Sequence, residues 1–122
     1  MDRPRRPPAE RFIPLSPVVL DVLLALSDEE RHGYAIMQDV ATRSTGATRL
    51  LPGSLYRALA RLVEDGLVEE SDERPLPDFD DERRRYYRLT ALGRKVVAAE
   101  ARRLAAVVRT ARAKKVLKGE PA

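Results

Sequence analysis

Residues 52–70 read PGSLYRALARLVEDGLVEE. Leu55, Leu59, Leu62 and Val63 fall at i, i+4, i+7 and i+8, which predicts a helix with one apolar, core-facing stripe. Ser54, Arg57, Arg61 and Glu64 recur at spacings of three, four and three on the opposite face, with Tyr56 at the boundary. Pro52 stands at the first helical position, where its missing N–H is harmless. Gly66 tolerates the left-handed conformation that stops a helix. Such a helix is either scaffold or built for presentation, and the flanking elements decide between the two.

Toward the amino terminus, residues 33–44 predict a second helix. Tyr34, Met37, Val40 and Ala41 form its stripe with Ile36, and Ser44, Thr45 and Gly46 end it. His32, the only histidine, precedes this helix and reads as a turn or capping residue ahead of a metal ligand. The run LSPVVLDVLLALSDEE, residues 15–30, predicts the first helix, with Ser16 as N-cap and Pro17 at its first position. Val19, Leu20, Leu23, Leu24 and Leu26 make an apolar face broad enough to need cover on more than one side, which points to a partner chain. Residues 1–14 are rich in Pro and Arg and read as a flexible arm.

Toward the carboxyl terminus, LVEES and RYYRLT predict two strands of a ribbon, with a long Pro- and Asp-rich loop between them. In YYRL, alternation puts Tyr87 and Leu89 on one face, Tyr86 and Arg88 on the other. Residues 91–118 predict one long final helix capped by Thr90. Val97, Ala101, Leu104, Val108 and Ala111 step by four, three, four and three, the rhythm of a helix-pairing seam. With Val19, Leu20 and Leu23, these residues form the expected homodimer interface.

Composition narrows the functional classes. A chain of 122 residues, 43% hydrophobic and 34% charged, suits one soluble globular domain. The absence of cysteine removes disulfides, thiolate metal sites and cysteine nucleophiles. No apolar run approaches the roughly 20 residues that span a bilayer, and no leader pattern follows the basic start, so a cytoplasmic protein without membrane partners is expected. The acids cluster in a loop without a companion histidine, and no phosphate-binding or nucleotide-binding glycine motif occurs; an enzyme is not expected, nor a cofactor or metal. Net charge is +4, unevenly spread: residues 91–118 hold nine Lys or Arg against the single acid Glu100, while residues 69–88 hold eight acids against five Arg. A basic helix beside an acidic loop suggests a polyanionic partner, and a solvated basic face is the plainer alternative.

The order helix, helix, helix, strand, loop, strand, long helix predicts a mainly α (α+β) fold. It is a winged helix-turn-helix domain over residues 15–90, followed by a C-terminal dimerisation helix over 91–118. In that fold the third helix faces a major groove about 12 Å wide. Gly53 and Ser54 permit close approach of backbone N–H groups to a phosphate, with Tyr56, Arg57 and Arg61 following one and two turns in. Tyr56 fits equally a core residue with its hydroxyl at the rim.

The segments HGYAIMQDV, PGSLYRALARLVEDGLVEE and RRRYYRLTALGR together resemble the PadR family of winged-helix transcriptional regulators, in its shorter subgroup with a single C-terminal helix. The resemblance covers residues 15–104, most of the chain. It implies a homodimeric, sequence-specific DNA-binding regulator, usually a repressor and often released by a small-molecule effector. It also implies double-stranded DNA with a near-palindromic operator as partner. Carried onto this sequence, it places Ser54, Tyr56 and Arg57 at the groove and Gly33 and Tyr34 at backbone phosphates; Arg83, Arg84 and Arg85 fall at the base of the wing. An effector would be small and apolar or aromatic, with Phe12 and Met37 as general lining. The wing tip PLPDFDDE departs from expectation, being acidic where DNA favours Lys or Arg. A winged-helix protein-protein interaction module without DNA binding is the alternative.

Overall fold

Ser16 starts the first helix as expected: its Oγ accepts the Val19 N–H at 3.2 Å, and α1 runs Pro17–Ala25. The computed structural model describes residues 8–71 and 85–118. Helix α2 spans Gly33–Arg43, and α3 spans Pro52–Glu64. These three helices enclose Leu23, Leu26, Ile36, Val40, Leu55, Leu59 and Leu62. Each fully buried Leu or Ile side chain contributes about 1.5–3 kcal/mol, an upper bound because unfolded chains already bury some of that area. Val63, placed on the core stripe by its spacing, is 38% exposed. Gly66, at φ +82°, reverses the chain there, and Leu67 enters the core instead.

The sheet has three antiparallel strands: β1 (Arg31–His32), β2 (Val68–Ser71) and β3 (Tyr86–Leu89), in the order β1-β3-β2. Two strands were expected. A two-residue strand carries no periodicity, and β1 exists only because Arg31 and His32 meet Tyr87 and Tyr86 of β3. The alternation in β3 holds, with Tyr87 and Leu89 buried and Arg88 exposed. Arg88 Nε donates to Glu69 Oε2 at 2.8 Å across the outer face, as the register Glu69↔Arg88 requires.

Helix α4, Ala91–Ala113, starts on Thr90. The Thr90 Oγ1 accepts the Gly93 N–H at 3.0 Å and donates to the Gly66 carbonyl at 2.6 Å. Gly93 packs so closely on the Leu67 carbonyl that a β-carbon would overlap it. The helix is buried at Gly93, Val96, Val97, Ala99 and Glu100, and no later residue of it is buried. A short 3-10 helix, Pro8–Phe12, packs along α4, with Ala9 in the core and Phe12, Ile13 and Leu15 against it. The flexible arm expected over residues 1–14 is therefore packed over its second half. Ala9 and Phe12 supply apolar contacts that the Pro and Arg content concealed.

Candidate nucleic-acid interface

Two arginines set the angle between α1 and α2. Arg31 Nε donates to the Ala25 carbonyl at the end of α1 at 2.7 Å, and its guanidinium faces Asp28, Glu29 and Asp39 at 3.3, 3.4 and 3.7 Å. Arg43, at the end of α2, pairs with Asp39 at 2.7 Å and donates to the Asp21 carbonyl of α1 at 3.0 Å. The start of α2 is capped by His32, whose Nδ1 accepts the Ala35 N–H at 3.2 Å, the capping role expected of it. The first turn of α2 meets the first half of α3 through Gly33 and the Tyr56 side chain.

At that junction Gly33 is buried and Tyr34 is 62% exposed. The Tyr34 hydroxyl accepts from Gln38 Nε2 at 3.3 Å. His32 stacks on the Tyr34 ring (centroids 6.4 Å) and meets Tyr86 edge-on at 5.3 Å, so an aromatic row runs from α2 to the wing strand. Tyr56 of α3 lies across Gly33, its hydroxyl where a β-carbon of residue 33 would stand. Half-exposed, Tyr56 belongs to the surface rather than the core.

The start of α3 is open to an anion. Leu51, its N-cap residue, provides no side-chain cap, and Pro52 has no N–H to satisfy. Gly53 is exposed and Ser54 is half-buried. Arg57 folds back along the helix, its Nη1 3.7 Å from the point a β-carbon on Gly53 would occupy. A guanidinium beside the positive end of a helix dipole brings two sources of positive potential together, and such a set of donors suits a phosphate. Arg61 points outward one turn later and pairs loosely with Asp65 at 3.4 Å.

Of the three arginines expected at the base of the wing, one lies among the described residues. Arg85 is exposed but 3.4 Å from Glu70 Oε2, and Arg83, Arg84 and the acidic tip lie outside the described residues. On β3, burial pushes the Tyr87 hydroxyl above its ordinary pKa, and the Glu70 carboxylate adds to the effect.

Of the expected dimer-seam residues, Leu23 and Val97 lie inside the protomer, 0% and 9% exposed, because α1 and the first half of α4 face the core. Neither offers surface to a partner. Val19, Leu20, Leu104 and Ala111 are half-buried, and Ala101 and Val108 are exposed. Sequence reasoning missed the surface apolar residues Leu51, Val107, Val116 and Leu117, of which Leu51 is 62% exposed and Val107 52%. Leu51 was masked by its neighbour in the Leu50-Leu51 doublet, of which only Leu50 is buried.

The Transcriptional regulator PadR-like family matches residues 22–99. This chain belongs to that family. It is therefore a transcriptional regulator by family, and family membership implies DNA binding. The chain is 36% identical over 92 residues to a transcriptional regulator of Mycobacterium tuberculosis, covering 75% of this chain and 79% of that one. It is 42% identical over 84 residues to an uncharacterized 37.1 kDa protein in a transposon of Streptomyces fradiae, covering 69% of this chain; it spans only 22% of that relative's length. A PadR family transcription regulator from Clostridium difficile shares the fold with a TM-score of 0.67 at 18% identity, over 80% of this chain and 96% of that one. The PadR-like fold accounts for the three-helix core, the small sheet and the single long α4. Among the described residues, no helix is long and apolar enough to cross a membrane.

Proposed function

We propose that this chain acts as a homodimeric, sequence-specific DNA-binding repressor of the cytoplasm, released from its operator by a small apolar or aromatic effector. The observation that carries the DNA-reading part is the open amino end of α3, where Gly53, Ser54, Tyr56 and Arg57 converge beside Gly33 and Tyr34. Arg61 and Arg85 add cations at the margins. Phosphate contacts fix register, and Tyr56 and Arg57 contribute to sequence choice. The homodimer is supported by α4: its last 13 residues reach about 20 Å past the core. They carry Leu104, Val107, Val108 and Ala111 on a stripe that the protomer leaves exposed at Val107 and Val108 and half-buried at Leu104 and Ala111. Val19 and Leu20 of α1, packed against the core but half-exposed, offer further apolar surface. Two recognition helices related by a two-fold axis meet half-sites about 34 Å apart, so the operator is near-palindromic.

The test combines sedimentation with binding to fragments of the protein's own upstream region, in competition with random duplex and across a salt series. A dimer that prefers one near-palindromic fragment and weakens steeply with salt supports the reading. A chain that stays single, or ignores duplex DNA at low salt, overturns it in favour of a winged-helix module that binds another protein. Release by apolar or aromatic compounds is read in the same assay as population shift toward a non-binding arrangement.

A further inference from the structure

Glu100 is the only charged side chain that is buried among the described residues, with 1% exposure. Its carboxylate accepts three hydrogen bonds. The Leu15 backbone N–H, just ahead of α1, donates to Oε2 at 2.9 Å. Arg103 donates from Nε to Oε1 at 2.7 Å and from Nη2 to Oε2 at 3.0 Å, a bidentate pair one turn along α4. Glu100 is also the last buried residue of α4, so the tie sits where the helix leaves the domain.

Stability alone gives no reason for a carboxylate here in preference to an apolar side chain. Replacing buried ion pairs with apolar residues of similar volume is often neutral or stabilising. Apolar contacts such as those of Val96 and Val97 are non-directional and leave a helix some freedom to roll or tilt. One short directional bond, from the Leu15 N–H to Oε2, restrains that freedom, and the two from Arg103, on α4 itself, hold the carboxylate in place for it. The leverage is large: a tilt of about 10° at Glu100 moves the far end of α4, about 20 Å away, by about 3 Å, close to one base-pair step.

We propose that Glu100 is a positioning residue that fixes the direction in which α4 leaves the DNA-binding domain, and so the spacing of the two recognition helices. The second clause rests on the homodimeric DNA-reading function proposed above; the first does not. Leu15 carries the tie to the start of α1, and Arg103 holds the carboxylate in the orientation that Leu15 needs.

The chain has no cysteine, so Glu64→Cys on α3 and Thr110→Cys on α4 give a single pair of spin labels. Diluted into excess unlabelled protein, the pair reports one distance within a protomer, whether or not it dimerises or binds DNA. Glu100→Leu is expected to broaden the distance distribution at least twofold. Glu100→Gln, which keeps an acceptor for the Leu15 N–H, broadens it less. Val40→Ala, a core change in α2 that lowers the melting temperature, leaves the width unchanged. A second arm measures binding to duplexes whose half-sites are moved apart by one base pair. Wild type discriminates between the spacings, and Glu100→Leu discriminates at least fivefold less while binding a single half-site as before. An unchanged width in Glu100→Leu, or equal broadening in Val40→Ala, overturns the proposal. Broadening as expected, together with a wild type that ignores half-site spacing, upholds the fixing of α4 and removes the homodimeric reading of two half-sites.

Discussion

The hydroxyl of Tyr56 on α3 fills the space that a β-carbon on residue 33 of α2 would take. The obstructing atom is the far end of a half-exposed side chain, so Gly33→Ala is expected to swing the ring aside without disturbing the core. Melting should change by less than about 1 kcal/mol, because loss of that contact is offset by the better helix propensity of Ala. Operator affinity, read by fluorescence anisotropy, should nevertheless fall. Adding Tyr56→Ala to Gly33→Ala should then lower it little further, since both changes remove one arrangement. Fully additive losses would show that the two residues act independently.

Arg57 places its guanidinium beside Gly53 at the amino end of α3. Arg57→Ala should weaken operator binding by about 1–3 kcal/mol and relax the preference at one base position. Arg61→Ala, farther along the helix and already beside Asp65, should weaken binding uniformly across sequences. Competition against a panel of single-base operator variants separates the two patterns, and identical patterns would withdraw the base-reading role from Arg57.

The start of α4 is pinned to the turn after α3. Gly93→Ala drives a β-carbon into the Leu67 carbonyl, a backbone atom that cannot rotate away, and should destabilise the fold by about 1–3 kcal/mol in urea unfolding. Thr90→Ala loses the helix cap and the bond to the Gly66 carbonyl, with an expected loss of about 1–2 kcal/mol. Wild-type stability in either variant would mean that the turn and α4 can separate freely.

Glu100 also predicts an acid response. The Arg103 guanidinium holds its carboxyl below the ordinary value of 4.5, outweighing the opposing effect of burial, and the Leu15 N–H assists. A carboxyl whose pKa is lowered on folding contributes stability that is complete above the unfolded value and disappears as pH falls through the folded one. The stability difference between wild type and Glu100→Gln should therefore be constant from neutrality to about pH 5 and narrow below it. Parallel urea titrations across that range check this; a difference that grows in acid would reverse the sign assigned to Glu100.

The elements legible in the sequence are those with local causes. Ser16, Thr90, Pro17 and Pro52 set helix starts through their own side chains or rings, and Gly66 stops α3 with its positive φ. The outward face of α3 follows from residue spacing, so Arg57 and Arg61 are exposed as expected. Strand β1 was not legible, because two residues pair only once β3 lies beside them. Leu23 and Val97 were misplaced for a related reason. An apolar stripe has the same spacing whether the protomer's own core or a second chain covers it.

The sequence alone determined where each α-helix begins, that each carries an apolar stripe and which family the chain joins, because capping, periodicity and turn chemistry act over a few residues. Tertiary structure decided the contacts that join distant parts of the chain: Tyr56 over Gly33, Gly93 against Leu67, and Glu100 bonded to Leu15 across 85 residues. Those contacts depend on the relative placement of whole helices. That placement is settled by how the assembled core fills space and satisfies its buried polar groups.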